Sequence, residues 1–149
     1  METISNSPAA TEDLARTLAA KLGPGDVLFL AGDLGMGKSV FARALVRALS
    51  GEPELDVPSP TFTLVQTYDT PIAPLWHFDL YRIEDPEEIW ELGWEEALED
   101  GILVVEWPER LGNSLAPKDR LEIRFSASSQ TPGQRQIMLV PYGTWKDRL

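Results

Sequence analysis

This sequence predicts an α/β fold of three layers: helices on both faces of a mixed central sheet that contains an antiparallel insert. Three observations carry that expectation. The apolar run Val27–Ala31 leads directly into Gly32-Asp33-Leu34-Gly35-Met36-Gly37-Lys38-Ser39, which satisfies G-x-x-x-x-G-K-[ST] at every fixed position. Strand and helix patterns alternate at both ends of the chain, as a sheet layered between helices requires. Between them, two strand patterns flank Pro71-Ile72-Ala73-Pro74, a hairpin-like return that favours antiparallel pairing. The length, 149 residues, suits one domain over 1–149 with a sizeable core.

The elements follow in order. Leu14, Ala15, Leu18, Ala19 and Leu22 recur at helical spacing, which predicts a helix over 11–22 with Thr11 as its N-cap. Gly23-Pro24-Gly25-Asp26 turns the chain into the first core strand. After the glycine-rich loop, Phe41, Ala44, Leu45, Ala48 and Leu49 mark one face of a helix that stops near Ser50-Gly51. A polar stretch from Glu52 to Pro60 precedes two predicted strands, Thr61–Tyr68 and Leu75–Tyr81. Asp85-Pro86-Glu87-Glu88 combines a cap, a proline at the first helical position and acids at the positive dipole end, so it starts another helix. Ile102–Val105 is wholly apolar, the pattern of a strand buried on both faces. Leu121–Phe125 and Gln136–Val140 complete the strands.

A strand that delivers a glycine-rich turn to a helix N-terminus leaves several backbone N–H groups aimed at one point, at the positive end of the helix dipole. This P-loop NTPase-like arrangement binds phosphate. Lys38 would reach the β- and γ-phosphates of a bound nucleotide, and Ser39 would offer its hydroxyl to Mg²⁺. Glu106 ends the apolar strand after Val105; in such a fold that position faces the nucleotide crevice, where a carboxylate can hold Mg²⁺ directly or through water. Alternation along Trp76–Tyr81 puts His77, Asp79 and Tyr81 on one face. Asp79 is the better metal or catalytic group, because a carboxylate suits Mg²⁺ and an imidazole does not. His77, the sole histidine, reads as a structural hydrogen-bonding residue. Ser59 and Thr61, on a proline-stiffened loop, read from pattern alone as an ordinary turn, with a γ-phosphate-sensing switch as the alternative. Trp107 is the one tryptophan whose position suggests a crevice-lining role.

Composition narrows the function classes. Thirteen basic and twenty-four acidic residues give a net charge of −11, with the arginines and lysines scattered singly. Such a surface repels a polyanion, so tight, direct nucleic-acid binding is not expected. The chain has no cysteine, which removes disulfides and thiolate metal sites. No apolar run approaches membrane-spanning length, so a cytoplasmic protein with no membrane partner is the expectation. The absence of an N-K-x-D stretch disfavours guanine. A P-loop small-molecule kinase is an alternative, weakened by the lack of an arginine-rich lid segment. A nucleotide-gated binding module without essential hydrolysis is another.

Four blocks in one order carry a family resemblance: Leu30–Ser39, Pro58-Ser59-Pro60-Thr61-Phe62-Thr63-Leu64-Val65, His77-Phe78-Asp79-Leu80-Tyr81-Arg82, and Val105-Glu106-Trp107-Pro108-Glu109-Arg110. Over about Thr11 to Val140 the chain resembles the TsaE (YjeE) family of bacterial P-loop ATPases, required for the threonylcarbamoyladenosine modification of tRNA. The resemblance implies ATP/ADP and Mg²⁺ as cofactors, slow ATP hydrolysis by the chain alone, and stimulation by TsaB and TsaD. Contact with tRNA would then be indirect, through that complex. It implies Lys38 as the phosphate ligand within a nucleotide-binding set of Asp33, Leu34, Gly35, Met36, Gly37, Lys38, Ser39 and Val40. Ser39 and Glu106 would be the magnesium residues and Asp79 the acidic catalytic or metal-organising group. Ser59 and Thr61 would belong to a switch-like loop, and Thr11 would lie near the base. Two departures from the family pattern are Ser39, usually threonine, and Met36, usually smaller. The serine keeps the hydroxyl that Mg²⁺ needs.

Overall fold

The computed structural model describes residues 2–33, 35–128 and 131–149. In chain order the elements are β1 (Glu2–Ser5), α1 (Pro8–Ala19), β2 (Val27–Ala31), α2 (Lys38–Ser50), β3 (Val65–Tyr68) and β4 (Leu75–Asp79). A 3-10 segment, Pro86–Leu92, then leads to α3 (Trp94–Asp100), β5 (Ile102–Glu106), a short turn of helix at Pro108–Leu111, α4 (Gly112–Leu115), β6 (Arg120–Ala127) and β7 (Arg135–Tyr142). One sheet holds the strands in the order β1-β7-β6-β2-β5-β4-β3. Its centre, β6-β2-β5-β4, is parallel. Strand β7 pairs antiparallel with β6 and β1, and β3 pairs antiparallel with β4 as the Pro71–Pro74 return predicts.

The two faces of β2 explain the layers. Leu28 and Leu30 pack with Leu18, Phe41 and Leu45 beneath α1 and α2. Val27 and Phe29 point the other way and pack with Phe78, Ile89, Trp94 and Val105. Each such side chain contributes about 1.5–3 kcal/mol on burial. Strand β5 is buried along its whole length, as its unbroken apolar pattern predicts. Among the described residues no helix is long and apolar enough to cross a membrane.

Several boundaries differ from the sequence reading. Helix α1 begins at Pro8, with Ser7 as its N-cap accepting the Ala10 N–H at 3.2 Å, and Thr11 lies buried inside the helix. A hydroxyl followed by proline is the stronger start signal. At the other end, Lys21 and Leu22 donate to Leu18 and Ala19, so the helix tightens into i→i+3 turns before Leu22. The strand expected from Thr61 begins only at Val65, because Leu64 adopts φ 70° and closes a turn onto the Pro60 carbonyl at 2.7 Å. Strand β4 ends at Asp79, leaving Tyr81 beyond it. The segment after Asp85 winds as a 3-10 helix, and the α-helix begins past Gly93. Strand β1, four residues at the sheet edge and mostly exposed, had no strong pattern to announce it.

Candidate functional site

Parallel strands carry their C-terminal ends to one side of the sheet, where a crevice forms. Leu30 pairs with Glu106 and Glu106 with Asp79, so β2, β5 and β4 end level with one another. The glycine-rich loop leaves β2 at that edge. At Gly32 (φ 140°) an added Cβ would stand 2.4 Å from the Phe125 carbonyl oxygen, so only glycine lets the loop cross β6 this closely. Gly37 caps α2 at φ 106° with no side chain bonding the first turn, which leaves those N–H groups to an anion.

The structure brings most of the expected residues together. Gly35, Gly37, Lys38, Ser39, Val40, Ser59, Thr61, Asp79 and Glu106 line one cavity of about 230 Å³, closed on one side by Trp107. Lys38, Asp79 and Glu106 are all buried. Among the described residues the Lys38 ammonium has no hydrogen-bond partner; it sits 4.0 Å above the Trp107 ring. A buried cation without a donor's partner is costly, and an aromatic face offsets only part of that loss. Trp107 itself holds a left-handed backbone, φ 57°, worth roughly 1–2 kcal/mol of strain, with its ring against Tyr81 at 4.9 Å.

The carboxylates are fixed differently. Glu106 Oε2 lies 2.7 Å from His77 Nε2, one strand away on the face that packs on α2. Asp79 accepts the Thr61 hydroxyl at 3.1 Å and the Tyr81 N–H at 3.0 Å, and Thr61 Oγ1 is 2.8 Å from Ser59 Oγ. The Ser59–Thr61 loop is thereby tied to a strand end in the cavity. His77 and Asp79 share a face, as alternation predicts, and the hydrogen bond of His77 goes to Glu106; that face is buried under α2.

A second cavity, about 190 Å³, lies across the loop between the start of α1 and the β6–β7 turn. Thr11 lines it with Gly35 and Val40; its hydroxyl is 2.6 Å from Ser5 Oγ. Arg135 lines it too and donates to the Gly35 carbonyl at 3.3 Å. No local signal marked Arg135, since only the hairpin between β6 and β7 brings it to the loop. Asp33 is exposed, and Met36 packs against the core beneath α1 and α2; neither side chain lines the two cavities. Leu34 lies outside the described residues. Among the described residues no group of three or more His, Cys, Asp or Glu side chains forms a metal cage. A serine hydroxyl and two carboxylates beside a phosphate cradle nonetheless fit Mg²⁺, which keeps several waters and takes phosphate oxygens as ligands.

Comparison with known proteins agrees with this geometry. The family model for "Threonylcarbamoyl adenosine biosynthesis protein TsaE" matches residues 5–137. The Bacillus subtilis protein named tRNA threonylcarbamoyladenosine biosynthesis protein TsaE is 41% identical over 138 residues, 92% of this chain and 83% of that one. The Rickettsia bellii protein of the same name is 43% identical over 124 residues, 83% of this chain and 85% of its own length. A Rickettsia felis homologue is 45% identical over 114 residues, and there the match spans 66% of the relative and 76% of this chain. The crystal structure of Bacillus subtilis YdiB superposes with a TM-score of 0.78 at 28% identity, covering 99% of this chain and 89% of that one. A match running from the end of β1 into β7, over a phosphate loop flanked by these two carboxylates, places the chain in the TsaE family.

Proposed function

We propose that this chain, acting over 1–149 as one P-loop ATPase domain, binds and hydrolyses ATP in the threonylcarbamoyladenosine modification of tRNA. It would work in the cytoplasm with TsaB and TsaD and meet tRNA only through them. The observation that carries the reading is the unpartnered Lys38 ammonium, buried between a phosphate cradle and two buried carboxylates. Among the described residues nothing else in the protein satisfies it, and a β,γ-phosphate would.

Ser39 and Glu106 would hold Mg²⁺, with Asp79 organising its surroundings; the ion would offset charge on the β- and γ-phosphate oxygens. The chain's own groups do the rest. The N–H groups at the start of α2 and the Lys38 ammonium bind the phosphates and stabilise the charge that develops on them. Water, oriented by Asp79 or Glu106, attacks the γ-phosphorus in line as its bond to the β,γ-bridging oxygen breaks, giving ADP and inorganic phosphate. Asp79, tied to Thr61, links that orientation to the Ser59–Thr61 loop. The acidic surface favours a protein partner over a polyanion.

The test is ATP turnover by the chain alone and with purified TsaB–TsaD. Slow turnover that rises with the pair supports the reading. No stimulation overturns the partner assignment. Phosphate transfer to a metabolite without partners would make the chain a kinase, and full modification in cells by a non-hydrolysing Glu106→Ala would make it a nucleotide-gated module.

A further inference from the structure

His77 has no place in the chemistry proposed above, yet its surroundings are unusual. The ring is 2% exposed, and Nε2 lies 2.7 Å from Glu106 Oε2. Among the described residues this is the one side-chain hydrogen bond that Glu106 makes. The other ring nitrogen, Nδ1, is buried with no partner. A group placed only to satisfy a core would leave neither nitrogen bare. Here the ring gives up one hydrogen bond to keep the other.

We infer that His77 is a positioning residue for the metal site: its Nε2–H fixes the Glu106 carboxylate so that this side chain meets Mg²⁺ beside Ser39. The sheet makes the contact possible. His77 pairs with Val104, two residues before Glu106 on the neighbouring parallel strand, so both side chains emerge on the face packed by α2. The ring and the carboxylate also border a small cavity, about 150 Å³, together with Ser39 and Ser59. Glu106 thus stands between two spaces, the nucleotide cavity and this one. Without a donor behind it, the carboxylate is free to turn into the second space, away from the phosphates. With Nε2–H bonded to Oε2, Oε1 is left for the metal site. Groups that orient a metal ligand in this way commonly change metal affinity by about 10–100-fold when removed.

The inference rests on Ser39 and Glu106 being the magnesium residues, and the experiment separates the two. ADP binding is measured by calorimetry with and without Mg²⁺ for the wild type, Glu106→Ala, His77→Leu and His77→Gln, alongside thermal unfolding. The wild type should bind ADP more tightly with Mg²⁺, and Glu106→Ala should lose that increment. His77→Leu should bind ADP without Mg²⁺ as the wild type does, and lose about 10-fold or more of the increment. His77→Gln, which places an N–H near the position of Nε2, should restore most of it. A His77→Leu variant that keeps the full increment overturns the positioning role and leaves the metal site standing. A wild type with no increment overturns both. If His77→Leu does not fold, His77→Asn, too short to reach Glu106, is compared with His77→Gln; equal increments overturn the role, and a larger one for Gln upholds it.

Discussion

The two ends of the parallel strands are built on opposite principles. At the start of β2, Asp26 accepts the Gly23 N–H at 2.8 Å and two guanidinium N–H groups of Arg148 at 2.7 and 2.8 Å. Arg148 also donates to the Lys21 carbonyl at 2.8 Å and lies over the Trp145 ring. The bonds to Asp26 hold that guanidinium above even its ordinary, very high range. Asp26 and Arg148 thus find their partners within the chain. At the other end, among the described residues, Lys38 has no hydrogen-bond partner, His77 Nδ1 has none, and Trp107 holds a left-handed backbone. At one end the Asp26–Arg148 pair ties the chain to itself, and at the other a buried cation is left for something the chain does not contain. Substitutions at the first should therefore move stability, and at the second activity.

Lys38→Met is the strongest way to break that contrast. It removes a buried cation without a partner, so urea unfolding should show stability unchanged or raised by about 1 kcal/mol. ATP turnover should fall by about 10²–10³-fold, as on loss of one preorganised donor to a developing charge. A large loss of stability would mean that Lys38 is a structural residue. Asp26→Ala is the converse case. It strands the Gly23 N–H and leaves the Arg148 guanidinium only the Lys21 carbonyl and the Trp145 ring, and should lower stability by about 1–2 kcal/mol, the partial exposure of the pair limiting the effect. Turnover per folded molecule should not change. A drop in turnover would show that the two ends are coupled through β2.

The legible part of the molecule was the part fixed by short-range pattern. The loop and the runs Val27–Ala31 and Ile102–Val105 identify themselves, because a buried parallel strand and a glycine-rich turn each have a composition of their own. The position of Glu106 follows from the apolar run before it, and Asp79 from alternation along Trp76–Tyr81, although β4 ends at Asp79 and not at Tyr81. What was not readable depends on register or on distant chain. The His77–Glu106 bond needs the register that sets His77 opposite Val104, diagonal to Glu106, and Arg135 reaches Gly35 only through the β6–β7 hairpin. Thr11 has the chemistry of a cap, but Ser7-Pro8 starts the same helix one turn earlier. The loop before β3 was misread as strand because alternation from Thr61 continues through Leu64, where the backbone turns left-handed.

That same loop supplies the smallest and sharpest test of the contrast. Thr61 is partly exposed, and its hydroxyl is the only atom it contributes to the cavity's hydrogen bonds, to Asp79 on one side and Ser59 on the other. Thr61→Val keeps the shape and removes those bonds. Because the Asp79 N–H still donates to the Leu64 carbonyl and the Asp79 carboxylate still accepts the Tyr81 N–H, the fold should lose no more than about 0.5 kcal/mol. A hydroxyl's hydrogen bond to a carboxylate is worth about 1.5 kcal/mol or more, so turnover should fall roughly 10-fold if the hydroxyl orients Asp79 in the reacting state. Steady-state kinetics separates the roles: a fall in kcat with KM unchanged places Thr61 behind the attacking water. A rise in KM alone would make the loop a nucleotide-binding element, and no change in either would leave the Thr61–Asp79 bond a surface contact, with the functional end of the sheet ending at Asp79.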